Sequence, residues 1–164
     1  MNVKIRRFEE KDIPYKVKWI NDERNNKYLH YDLPLTEEKT LVWFKNIKDR
    51  TERMDFTITF NEEPVGLIGL LNIDHRNQKA EYYICMGSEE HKGKGIAYTA
   101  SKILIDTVCT DLNLHKLYLY TQTGNIPAQK LFEKLGFVRE GLLRDDLNYN
   151  GKRIDRYIYG LILN

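Results

Sequence analysis

The run His91-Lys92-Gly93-Lys94-Gly95-Ile96-Ala97 carries the most readable chemistry in this chain. It follows a strand-like run over residues 80–86 and opens a helix-like run over residues 96–112. A glycine-rich turn at a helix start leaves backbone N–H groups unpaired, and the positive end of the helix dipole lies there too. Such a place holds an anion, most often a phosphate, and Lys92 and Lys94 add positive charge. Two familiar phosphate loops do not fit. The spacing G-x-x-x-x-G-K-[ST] is absent, and Tyr98 stands where the dinucleotide pattern G-x-G-x-x-G wants its third small residue. A bare G-x-G also occurs as an ordinary turn or cap.

The other reactive side chains are sparse. Cys85 and Cys109 are the only cysteines and form no C-x-x-C pair, so structural zinc is not expected. They read as small buried hydrophobes, with a catalytic thiol as the alternative. His30, His75, His91 and His115 have no metal-ligand spacing, and no metal is expected.

These residues need elements to position them. Residues 3–8 alternate as a short strand, and residues 11–22 read as a helix with Pro14 in its first turn. Residues 21–34 are a polar and aromatic loop. Thr36 caps the next helix, where Leu41, Phe44 and Ile47 recur at helical spacing. Strands follow over residues 56–60, 65–73 and 79–86, joined by turn chemistry at 61–64 and 74–78. After the glycine loop, Ile96, Ala100, Ile103, Leu104, Val108 and Leu112 make one helical stripe. A strand at 116–121, a helix at 126–135 closed by Gly136, and two strands joined at Asn150-Gly151 complete the chain.

That order makes a mixed α/β (α+β) domain on one sheet, mostly antiparallel, with at most one parallel crossover around residues 80–121. A doubly wound nucleotide fold needs more such units. The chain reads as one domain over residues 1–164, with 41% apolar residues and a net charge of +2. No basic stripe suggests nucleic acid. No segment reaches the length of a membrane span, and residues 1–10 have no apolar signal region, so a cytoplasmic protein is expected.

The strand Ala80-Glu81-Tyr82-Tyr83-Ile84, the glycine loop, Asn125 and the run Leu131-Phe132-Glu133-Lys134-Leu135-Gly136-Phe137 together resemble the GNAT superfamily of acetyl-CoA-dependent N-acetyltransferases. The resemblance covers nearly the whole chain. The tail Glu140-Gly141-Leu142-Leu143-Arg144-Asp145 with Asn150-Gly151-Lys152 resembles the branch of ribosomal-protein N-terminal, amino-sugar and polyamine acetyltransferases. In that family the loop reads [QR]-x-x-G-x-[GA], and its amides hold the CoA pyrophosphate. Gly93 and Gly95 fit, while Glu90 departs from the first position.

The resemblance implies a splayed pair of strands, with Ile84, Cys85 and Met86 pairing with the pantetheine arm and Asn125 contacting it. The structural alternative for Asn125 is a helix cap. The implied reaction is direct attack of a neutral primary amine on the thioester, with an amide of Met86 or Cys85 as oxyanion donor. Glu81 is the first candidate for the base, desolvated by Tyr82 and Tyr83; the alternative is a charge on a solvated sheet face. The family's acid tyrosine is replaced by Phe132, and Ala128 stands where some members have serine. The acid is then Tyr83, Tyr120 or water, or the thiolate leaves unprotonated. His30 and Tyr31 lie in the segment that shapes the acceptor pocket. The acceptor is a small-molecule amine, a nucleotide-linked amino sugar among them, or a protein N-terminus. A homodimer is hinted at by the aromatics of the last two strands. Loss of the acid tyrosine leaves a second reading, a catalytically silent acetyl-CoA-binding regulatory module.

Overall fold

A computed structural model describes residues 2–164; Met1 lies outside them. The chain opens with β1 (Val3–Arg7), a 3-10 turn (Glu10–Asp12) and α1 (Ile13–Asn21), followed by the short α2 (Glu23–Asn26) and α3 (Glu37–Ile47). Then come β2 (Met54–Phe60), β3 (Glu63–Asp74), β4 (Lys79–Met86), α4 (Ile96–Leu104), β5 (Lys116–Gln122), α5 (Ile126–Lys134), β6 (Val138–Tyr149) and β7 (Lys152–Ile162). One seven-stranded sheet has the order β1-β2-β3-β4-β5-β7-β6. Every neighbouring pair is antiparallel except β4 and β5.

The single parallel crossover is the one that the order of elements leads one to expect. It runs through α4, whose apolar face packs on the sheet. The buried positions there are Ile96, Ala100, Leu104 and Cys109, so the last step is five residues rather than four. A π turn over Ile105–Cys109 supplies the extra residue. The regular stripe expected through Val108 is corrected in this way: Cys109 takes the core position and Val108 only packs against its edge. A wide turn advances the buried face by one residue where an α turn would rotate it away.

Two apolar layers flank the sheet. The larger, beneath α4 and α5, contains Ile58, Ile68, Leu70, Tyr82, Leu117, Phe132 and Tyr159. The smaller, beneath α1 and α3, gathers Phe8, Ile13, Trp19 and Leu67. A half-buried ion pair, with its carboxylate enclosed, fixes the start of α1 to the sheet. Asp12 accepts from Arg6 Nη1 and Nη2 at 2.7 and 2.8 Å, from the Glu9 N–H at 2.9 Å and from Thr57 Oγ1 at 2.9 Å. Burial alone would raise the Asp12 pKa, but these donors together hold it below its ordinary value. The loop at 21–34 is more ordered than its composition implies, because Asp22 accepts from the Arg24 N–H and starts α2. Thr36 caps α3 as expected, accepting from the Lys39 N–H at 3.1 Å.

Candidate active site

β4 and β5 pair through only three residues, Lys79 with Lys116, Ala80 with Leu117 and Glu81 with Tyr118. Beyond Glu81 the two strands part. β4 continues on β3 as far as Met86 opposite Gly66, and β5 continues on β7 as far as Gln122 opposite Arg156. The facing backbone edges of residues 82–86 and 119–122 have no ladder partner in each other. An extended ligand carrying amides can take the place of the missing strand there.

The glycine loop lies just past the open end of β4. Gly93 and Gly95 have φ of +78° and +79°, the left-handed region that L side chains avoid. No heavy atom lies within 4 Å of where a Cβ on either would stand. Gly95 is the N-cap of α4 and supplies no side-chain cap, so the first N–H groups of the helix face this open space. A pyrophosphate on the loop and an amide-bearing arm along the parted strands fit this arrangement, and acetyl-CoA has both groups.

Side chains of β4 alternate across the sheet. Ile84 and Met86 pack toward the α4 layer with Tyr82. Glu81, Tyr83 and Cys85 point to the other face, toward α1 and α3. Glu81 is half-buried at the point where the strands part. Burial raises its pKa, opposed by a hydrogen bond from Asn72 Nδ2 at 3.1 Å and by the charge of Arg156. Tyr118, Tyr120 and Arg156 lie on the same side, with the Arg156 guanidinium 4.6 Å from the Tyr120 ring centroid.

Tyr83 is placed differently from a free proton donor. Its enclosed hydroxyl donates to Asp55 Oδ1 at 2.5 Å, and Asp55 also accepts from Arg53 Nη2 and Nε at 2.7 and 2.8 Å. Burial, then the Asp55 charge, hold the Tyr83 pKa well above its usual value. The expected acid role is therefore withdrawn from Tyr83: its proton is already engaged and it is a poor acid. Burial pushes the Cys85 thiol up to about 11, which removes thiolate chemistry at neutral pH.

Not every loop residue faces the helix start. The His91 ring stacks edge-on against Phe60 at 5.3 Å and Nδ1 lies 3.0 Å from Ser88 Oγ. Lys92 turns toward α2, donating to Asn25 Oδ1 at 2.8 Å and Glu89 Oε1 at 2.7 Å. Lys94 and Gly95 are exposed, Ala97 half-buried and Ile96 buried. Asn125 adopts the alternative reading as well, capping α5 by accepting from the Ala128 N–H at 3.4 Å. His30 and Tyr31 belong to a strap across the parted strands. Asn25 Nδ2 donates to Gly87 O at 2.9 Å on the β4 side. On the β5 side Tyr28 donates to Gly124 O at 3.0 Å, and His30 Nε2 lies 2.6 Å from the Gln122 amide. Burial and then Arg156 lower the His30 pKa. Tyr149, on the last hairpin, donates to Tyr31 O at 3.3 Å.

The acetyltransferase (GNAT) domain profile matches residues 2–138. The chain belongs to the GNAT acetyltransferase family. It is 35% identical over 153 residues to a spermidine N(1)-acetyltransferase of Escherichia coli (strain K12), covering 92% of this chain and 81% of that one. It is 30% identical over 171 residues to a putative ribosomal N-acetyltransferase, YdaF, of Bacillus subtilis (strain 168), covering 98% and 91%. A solved spermidine N-acetyltransferase from Vibrio cholerae, in complex with CoA and spermine, superposes with a TM-score of 0.90 at 26% identity, covering 98% of this chain and 95% of that one. The protein is an acetyl-CoA-dependent N-acetyltransferase that acts on amines.

Sequence reasoning missed Lys16, Asn25, Arg53, Asp55 and Arg156. One signal was available. Ile13, Lys16 and Ile20 share a helix face, so a lysine stood at a position spaced for the core. Among the described residues no group of His, Cys, Asp and Glu is arranged to hold a metal, and no helix is long and apolar enough to cross a membrane.

Proposed function

We propose that this chain, as one domain over residues 1–164, acetylates the primary amine of a small metabolite. Acetyl-CoA supplies an activated acetyl thioester. Residues 93–97 grip its pyrophosphate through backbone amides, and Ile84, Cys85 and Met86 offer their unpaired edge to its pantetheine arm. Asn125 adds the side-chain nitrogen left over from its cap. Glu81 takes the proton from the acceptor ammonium, directly or through one water, so that the neutral amine attacks the thioester, and its raised pKa keeps it basic enough to do so. Backbone N–H groups of Cys85 or Met86 donate to the developing oxyanion. With Phe132 sealed in an aromatic cluster against Tyr82, Phe137 and Tyr159, and with the Tyr83 hydroxyl bonded to Asp55, protonation of the leaving thiolate falls to Tyr120 or water.

The observation that carries this reading is Glu81 at the last paired rung of β4 and β5, on the face opposite Ile84 and Met86. The strap supports a small acceptor over a protein N-terminus. Its bonds to Gly87, Gln122 and Gly124 roof the acceptor face on both sides of the cleft. The names of the relatives nominate polyamines as acceptors to be tested beside amino sugars. The test is release of the CoA thiol from acetyl-CoA with a panel of spermidine, spermine, amino sugars, nucleotide-linked amino sugars and a short peptide with a free N-terminus. Turnover with a small amine supports the reading. Turnover with the peptide alone overturns it.

A further inference from the structure

Among the described residues, the acceptor face holds a cation with no ion-pair partner. Lys16 projects from α1 toward the sheet and is only 7% exposed. It forms no salt bridge or side-chain hydrogen bond among the described residues. Its Nζ sits over the Trp43 ring, 3.4 Å from the centroid, with the Tyr31 ring centroid at 5.8 Å. No fully enclosed side-chain nitrogen or oxygen is left unbonded among the described residues. The unbonded Lys16 ammonium is therefore not wholly sealed from solvent, and it lies beside Tyr31 of the strap.

The surrounding charges do not cancel it. Arg53 and Asp55, at the start of β2, are a closed pair: Arg53 takes both carboxylate oxygens, and Tyr83 from β4 adds a third bond. The neighbouring Cys85 thiol and Tyr31 phenol are neutral, both pushed up by burial, to about 11 and about 12. Lys92 is another cation, already answered by Glu89. The Trp43 ring satisfies one face of the ammonium and leaves its other donors unanswered. A nearly buried ammonium with free donors, flanked by two aromatic rings, is suited to receive an anion.

We propose that Lys16 determines acceptor specificity, and that the amine substrate carries an anionic group, a carboxylate or a phosphate, bound by the Lys16 ammonium between Tyr31 and Trp43. The proposal rests on the acetyltransferase reading above and narrows its substrate class. It also sets this chain apart from an enzyme whose acceptor is a polycation, because a second ammonium beside Lys16 would be repelled.

The experiment compares matched acceptors that differ in one group: glucosamine with glucosamine 6-phosphate, and 1,4-diaminobutane with 4-aminobutanoate, with spermidine alongside. Each is assayed by CoA release with the unchanged protein, Lys16→Met and Lys16→Arg. The anionic member of at least one pair is expected to have a kcat/KM at least tenfold higher, mostly through KM. The phosphate and carboxylate arms show which anion is read. Lys16→Met should collapse that ratio to near one, and Lys16→Arg should keep most of it. Preference for spermidine or the diamine overturns the proposal, and so does an equal loss on all acceptors in a folded Lys16→Met. Should that variant fail to fold, Lys16→Gln replaces it. If acetyl-CoA binds and no amine turns over, the catalytic reading fails first. Glucosamine 6-phosphate and 4-aminobutanoate, each titrated onto the CoA-saturated protein, then decide the anion site. A rise in unfolding midpoint with either that Lys16→Met abolishes supports it, and no rise with both overturns it.

Discussion

Lys16 and Glu81 show how one side chain's surroundings set its chemistry. Burial pushes the Lys16 pKa down from 10.5 to about 8, so the folded state holds this proton less tightly than the unfolded chain. The stability cost is fully present below pH 8 and disappears as pH rises toward 10.5. A shift of that direction means that burial of the charge outweighs what the Trp43 ring returns to it. Lys16→Met, which keeps the length and loses the charge, should therefore unfold at a higher midpoint at pH 7, with the difference shrinking above pH 8. Thermal unfolding across that pH range checks it; a lower midpoint for Lys16→Met would mean that the ring contact outweighs desolvation. Glu81 is perturbed in the opposite sense: burial favours its neutral form, so its capacity as a base appears with rising pH above the ordinary carboxylate range.

At the scale of elements, the site exists because β4 and β5 agree for three rungs and then disagree. The parted edges, the open end of α4 and the strap from α1 to α3 surround the same opening. Gly95 is the most exposed test of this arrangement. At φ +79° an alanine costs about 1 kcal/mol of backbone strain and puts a methyl group in the space where phosphate oxygens would approach. Gly95→Ala should raise the KM for acetyl-CoA at least tenfold and lower kcat far less. Steady-state titration of acetyl-CoA at fixed amine measures both; an unchanged KM would remove the loop from cofactor binding.

For the molecule as a whole, local pattern and long-range packing divide what was legible. The limits of β4 could be read because an aromatic and β-branched run is fenced by turn residues at 74–78 and by Gly87. The β6–β7 hairpin could be read from Asn150-Gly151, both of which adopt positive φ. The glycine loop could be read because its backbone demand is local. The three-rung register between β4 and β5 could not, since it depends on how α4 packs between strands far apart in sequence. Tyr83 was misjudged for the same reason: its partner Asp55 is 28 residues away on β2, and nothing in the spacing announces it. The uncompensated Lys16 likewise becomes visible only when α1, α3 and the strap are assembled.

The central claim is that this assembly transfers acetyl from acetyl-CoA to a small primary amine with Glu81 as the base. The measurement that tests it most directly is the pH dependence of kcat and kcat/KM for the unchanged protein and Glu81→Gln, with acetyl-CoA affinity measured in parallel by calorimetry. The account predicts an acidic limb above the ordinary carboxylate range, a loss of kcat of about 100-fold or more in Glu81→Gln, and nearly equal acetyl-CoA affinity in the two proteins. A Glu81→Gln variant that keeps full kcat and the same acidic limb would contradict it.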